Sequence, residues 1–182
     1  MITGFPEADA AAAFARERRR ASVARVAARL RPGREDALAP LRFDDVIETR
    51  GMVAVHDLGL QEIAIDSIVG TVDRRGGEFD REFRPRSRRL QRRWQRIAEA
   101  RRRGETMPPI DTYRIGGLHF IEDGHHRVSV ARAQGDTTIE AHVREVQTGR
   151  AFPTPRLRNM GASSPAGPHV RGRGRVRTSL AR

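Results

Sequence analysis

The sequence predicts an α+β fold: a small mixed sheet with helices, an N-terminal helix ahead of it and a disordered C-terminal tail behind it. Three observations predict the central part. Two short β-rich runs flank Gly116-Gly117, which is a hairpin signature. Leu90, Trp94 and Ile97 fall at i, i+4 and i+7, the period of an amphipathic helix. In "TTIEAHVREV", Ile139, Ala141 and Val143 alternate with Glu140, His142 and Arg144, the period of a strand.

Taken in order, residues 1–57 read as a helical extension and a linker. Residues 7–30 are alanine-rich, with Phe14, Val23, Val26 and Leu30 as a thin apolar stripe, and Pro32-Gly33 ends the helix. So sparse a stripe predicts a solvated or loosely docked helix. Residues 36–57 read as a linker holding a short helix around Phe43–Ile47. Asp44 and Asp45 lie in it, and neighbours on a helix diverge by about 100°, so they read as a solvated face rather than a metal site.

The domain itself is expected at 58–146. Ile63 and Ile65 alternate with polar neighbours as a short strand, and Asp66-Ser67 suit the cap of a single turn before Gly70. "TVDRRGGEFDREFRP" is a loop that Phe79 and Phe83 can anchor. Residues 86–103 form the clearest helix, closed by Gly104 and then Pro108-Pro109. After the hairpin, Asp123 suits an N-cap, a helix runs to about Gln134, and Gly135 suits its C-terminal turn. Residues 147–182 are rich in Pro, Gly, Ser and Arg, with "RGRGRVR" as the densest point, and are predicted to be disordered and basic.

Composition narrows the chemistry. The chain has 182 residues and no cysteine, which excludes disulfides, thiolate metal sites and a cysteine nucleophile. All 35 cationic residues are arginine, so neither Schiff-base chemistry nor a P-loop lysine is available. The net charge of +12 is unevenly spread. Residues 74–103 hold 13 Arg against 4 acids, and 147–182 hold 8 Arg and no acid. Residues 1–73 and 104–146 are each net negative. No apolar run of about 18 residues is present, so no membrane span is expected. The apolar patch of the N-terminus precedes its charges, the reverse of a secretory signal, and a cytoplasmic location is expected.

The segment that invites a function is "FIEDGHHRVSVARAQGD", residues 120–136, where a strand becomes a helix. A helix N-terminus presents unpaired N–H groups and partial positive charge, a generic anion site. Gly124 allows close backbone approach, His125 and His126 add donors, Arg127 adds a bidentate fork, and Ser129 adds a hydroxyl. These residues, with Asp123, are the candidate nucleotide or phosphate ligands. An ordinary capped helix with hydrogen-bonded histidines accounts for the same letters. Adjacent histidines on a helix diverge, so no protein-only metal site is expected. Magnesium brought by a nucleotide fits better.

"IAIDSIVG" and "PPIDTYRIGGLHFIEDGHHRVSVARAQGDTTIEAHV", in that order, resemble the ParB/sulfiredoxin superfamily domain over residues 58–146. The resemblance implies a strand and short helix, a variable loop, a helix, a hairpin, a Gly-x-x-Arg turn and a last strand. In ParB the matching turn contacts the phosphates of CTP, which implies that role for Gly124, His125, His126 and Arg127. In sulfiredoxin the turn carries the catalytic cysteine where His125 stands, so sulfinic acid reduction by that chemistry is excluded. Its histidine and arginine hold ATP phosphate, which implies the same for His126 and Arg127. Free-serine kinases of the superfamily share a DGHHR-like turn and use a glutamate base after the first strand and turn. Here Val72-Asp73 stand near that point, and the first glutamate is Glu78. Partition proteins continue into a helix-turn-helix domain, which is not expected after residue 146.

The expected function is that of a stand-alone ParB-like domain binding phosphate or nucleotide, possible cofactors being ATP or CTP with Mg²⁺. Non-specific nucleic-acid affinity, in a DNA-associated regulatory setting, comes from Arg86, Arg88, Arg89, Arg92, Arg93 and Arg96 together with the tail. One alternative is an enzyme, a small-molecule kinase or nucleotide hydrolase with Asp73, Glu78, Glu122 or Asp123 as base. Another is a protein-interaction module whose turn is purely structural.

Overall fold

The computed structural model describes residues 6–30, 38–73 and 77–150. Most of the tail expected at 147–182 therefore lies outside the described residues, as does Arg74-Arg75 of the loop. Among the described residues the elements are α1 (Pro6–Arg29), β1 (Leu41–Arg42), α2 (Phe43–Arg50), β2 (Met52–Ala64), β3 (Ile68–Thr71), α3 (Gln91–Arg102), β4 (Ile110–Ile115), β5 (Leu118–Asp123), α4 (His125–Gln134) and β6 (Thr138–Thr148). The fold is α+β, with one mixed sheet in the order β1-β3-β5-β4-β6-β2.

β1, β3 and β5 run parallel, and β4 and β6 pair in parallel. β4–β5 and β6–β2 are antiparallel. The hairpin predicted at Gly116-Gly117 joins β4 to β5, and both glycines take positive φ (55° and 85°), as a type I′ turn requires.

The sheet is covered on both faces. Ile63, Ile68, Ile110, Ile121, Ala141 and Val143 meet α1, α3 and α4 through Phe14, Trp94 and Val128. On the other face Ile115, Leu118, Phe120 and Val146 meet Phe43, Val46 and Ile47 of α2. Phe120 and Ile121, adjacent in β5, enter different cores because strand side chains alternate.

Several sequence expectations change here. α1 is not loosely docked. Ala10, Phe14, Glu17, Ala21 and Ala28 form its buried face, while Val23, Val26 and Leu30 are exposed. Buried residues at spacings of four, three, four and seven let α1 lie against α3, where Phe14 meets Trp94 edge-on at 5.6 Å between centroids. Burying such a phenylalanine stabilises by roughly 1.5–3 kcal/mol.

The boundary expected between 57 and 58 falls inside β2, which is a thirteen-residue strand rather than a linker end. Its register against β6 shifts between Met52 and Ala54 and between Asp57 and Leu60. Each shift moves later side chains to the other face and erases the alternation a strand should show. Ile65, expected in a strand, opens a 3₁₀ turn over Ile65–Ser67. β6 continues through Gln147 and Thr148, which pair with Ala54 and Met52, so those two residues belong to the sheet and not to a tail.

The helix expected from 86 begins later. Ser87 caps a 3₁₀ turn, Arg88–Leu90, by accepting from Arg89 N–H at 3.2 Å, and α3 follows. No helix of the described residues is long and apolar enough to cross a membrane.

Candidate functional site

β3 and β5 are parallel and end at Thr71 and Asp123 along one edge of the sheet, where α4 begins. The carboxyl ends of parallel strands are a common place for ligand crevices. The chain passes from β5 into α4 through Gly124, with φ 109°. A Cβ there would lie 2.4 Å from Ile110 Cγ2, so only glycine fits. The expected cap, Asp123, is instead the last residue of β5; Gly124 is the N-cap and makes no side-chain cap bond. Val128 N–H donates to Gly124 O at 3.0 Å as the first rung of the helix, leaving the N–H groups of His125, His126 and Arg127 ahead of the ladder.

A cavity of about 240 Å³ opens at this point. It gathers the acidic candidates Asp73, Glu78 and Glu122 with Asp123, His125 and His126 of the turn. Pro40, Thr71 and Phe79 complete the wall, and Arg93 reaches in from α3.

Thr71 organises the floor. Its hydroxyl lies 2.7 Å from His125 Nε2 and 3.3 Å from Ile121 O, and it accepts from Asp73 N–H at 3.0 Å. When the hydroxyl proton goes to Ile121 O, His125 Nε2 is the donor. Phe79 stacks on His125 at 6.1 Å and meets His126 edge-on at 5.3 Å. His126 Nδ1 is buried without a hydrogen-bond partner among the described residues.

Burial pushes His126 down to about 4, and the charges of Arg93 and His125 act in the same direction. Burial also lowers His125, against the opposing pull of Asp73 and Asp123. Both rings are therefore neutral near pH 7, and Arg93 is the arginine that lines the cavity together with Asp73, Glu78, Glu122 and Asp123. The Arg93 side chain has no hydrogen bond or ion pair among the described residues.

The other candidates lie elsewhere. Arg127 is turned away from the cavity: its guanidinium donates to Pro108 O at 2.7 Å, to Pro109 O and to the Asp123 carboxylate. Ser129 is buried, and its hydroxyl accepts from Trp94 Nε1–H at 2.9 Å. Glu122, though on the rim, pairs with Arg144, whose guanidinium lies 4.2 Å over the Tyr113 ring. Arg88, Arg89, Arg92, Arg93 and Arg96 are exposed on and just before α3, and Arg86 is half-buried.

Thr71 and the inward turn of Arg93 were not singled out from the sequence. The register of two parallel strands places the first and helix packing places the second, and neither leaves a local signal.

Among the described residues no group of three or more His, Asp or Glu is arranged to hold a metal ion. A magnesium ion here would take one or two carboxylates of the rim and draw its remaining oxygens from a bound phosphate and water.

The chain is similar to the crystal structure of sulfiredoxin from Arabidopsis thaliana, at 19% identity over 47% of this chain and 84% of that one, with a TM-score of 0.36. No family model and no curated protein matches it.

Proposed function

We propose that this chain is a phosphate- or nucleotide-binding domain that associates with nucleic acid, its anion site being the cavity at the start of α4. One observation carries the reading: His125 and His126 at the start of α4, the unpaired Arg93 and the acidic residues Asp73, Glu78, Glu122 and Asp123 line one cavity. The leading N–H groups of α4 and Arg93 complement phosphate oxygens. The carboxylates alone would repel them, so the ligand enters as a magnesium complex, with ATP and CTP as the first nucleotides to try.

Calorimetric titration with ATP, CTP and inorganic phosphate, with and without Mg²⁺, tests the reading. Saturable binding is expected with Mg²⁺, weakened about tenfold or more in Arg93→Gln, since a bond to a charged group is worth about 1.5–3 kcal/mol. No heat with any of the three ligands would overturn it.

A second reading has its own observation. Asp73, Glu78 and Glu122 all line the same cavity, and a carboxylate there is the kind of group that takes the proton of an attacking water or hydroxyl in a nucleotide hydrolase or kinase. Release of phosphate or diphosphate under saturating nucleotide, lost in Asp73→Asn or Glu78→Gln, separates turnover from binding.

A further inference from the structure

Beyond a free nucleotide, we infer that the ligand of this cavity is the terminal phosphate of a nucleic-acid strand whose backbone runs along the arginine ridge of α3. The inference rests on the phosphate-binding reading above and adds the class of molecule that carries the phosphate.

Size is the first reason. At about 240 Å³ the cavity falls below the roughly 300–1,000 Å³ of pockets that engulf a drug-sized ligand. It has room for a phosphate, its metal ion and some water, while the rest of the ligand stays outside.

Placement is the second. Arg93 lines the cavity and also belongs to the ridge. Arg93 and Arg96 are three residues apart on one side of α3, with Arg92 beside them and Arg89 in the 3₁₀ turn just before the helix. From Arg89 to Arg96 the rise is about 10 Å, the axial length of about three phosphates along one strand. All four are exposed, and none has a side-chain hydrogen bond or ion pair among the described residues. A row of guanidinium groups whose middle member, Arg93, also lines a phosphate-sized cavity fits a polyanion that places one end there.

Charge is the third. Asp73, Glu78, Glu122 and Asp123 all line the cavity, and carboxylates in that number disfavour a strand that continues through it. An end, with its metal ion, meets less repulsion than a through-running backbone.

The test uses the full chain and fluorescently labelled single strands of about ten nucleotides in Mg²⁺. One set carries a 5′-phosphate, one a 3′-phosphate and one hydroxyl ends, and a hydroxyl-ended strand two nucleotides longer matches the added charge of about −2. Anisotropy titration should show one phosphorylated end bound about tenfold more tightly than its charge-matched control. Arg93→Gln should abolish that preference while strand binding persists through the remaining arginines. ATP and CTP are titrated calorimetrically in parallel.

Equal affinity for phosphorylated and hydroxyl ends alongside nucleotide heat overturns the strand-end inference and leaves the cavity reading standing. Equal affinity without nucleotide heat overturns both. Polyglutamate binding that matches the phosphorylated strand would show a ridge that senses negative charge alone, and would also overturn the inference.

Discussion

Two sets of arginines divide this molecule. Those on β4, α4 and β6 are tied down. Arg127 clips the Pro108-Pro109 carbonyls to the start of α4. Arg132 donates to Glu82 at 2.9 Å and to the carbonyls of Ile65 and Ile68 at 2.8 and 3.1 Å. Arg114 holds Glu145 at 2.7 Å, and Arg144 pairs with Glu122. Arg88, Arg89, Arg92, Arg93 and Arg96, on and just before the first half of α3, are exposed and have no side-chain hydrogen bond or ion pair among the described residues.

The chemistry is the same, and neighbours decide its use. Residues 104–146 supply seven acids to four arginines, while the six arginines between 86 and 96 meet no acid in their own stretch. The first set has become framework, joining loops to the sheet. The second keeps its hydrogen-bonding capacity for something outside the chain.

Arg127→Ala is the strongest way to break this division. It removes two bonds to carbonyls and an ion pair at a mostly buried guanidinium, and should destabilise by about 3 kcal/mol. Thermal melting should fall by several degrees or more. An unchanged midpoint would show that Arg127 belongs with the free set.

Acid gives an effect of similar order. Burial, with help from Arg114, pushes His119 down to about 4, below its ordinary 6.5, and His126 lies equally low. Both folded-state values are depressed, so their stabilisation is fully present above pH 6.5. It is lost as pH falls from there to about 4, because the unfolded chain takes up protons first. For His119 the loss is on the order of 3 kcal/mol at 1.36 kcal/mol per pH unit. Denaturant midpoints across this window should decline with acid, and His119→Gln should flatten the decline.

Arg132→Met comes next. It strands the carbonyls of Ile65 and Ile68, for about 2 kcal/mol, read from the same melts.

The smallest expected change in stability is that of Arg88, Arg89 and Arg92 all changed to Gln. It should stay within about 0.5 kcal/mol per substitution, as for exposed positions elsewhere. Each lost phosphate contact should nevertheless reduce the log–log salt slope of duplex binding by about 0.9. A triple variant that melts early, or binds DNA with an unaltered slope, would erase the distinction.

What the sequence could tell follows from which interactions are local. The hairpin was legible because Gly116-Gly117 carries its own φ requirement, and β6 because Ala141 and Val143 alternate with exposed Glu140 and His142. The start of α4 was legible as a turn, although Gly124 and not Asp123 caps it. The docking of α1 was not, because its buried face is mainly alanine, which is also simply a good helix former. β2 was hidden by two register shifts.

In the site, the acids, histidines and Gly124 could be named in advance. That Arg127 would be consumed by Pro108 and Pro109, and that Arg93 would stand in the cavity, depends on contacts across 18 residues or more. No window of sequence reports such contacts.

The single tryptophan has an optical consequence. Trp94 is 1% exposed, its indole N–H donates to Ser129, and its ring meets Phe14. The chain's dominant fluorophore thus sits where α1, α3 and α4 meet, in an apolar setting that holds its emission toward the blue. When α1 lifts away, the Phe14 edge goes and water reaches the indole, so the spectrum moves to the red even while the sheet stays intact. Release of the first helix can thus be followed as a colour change, without any label.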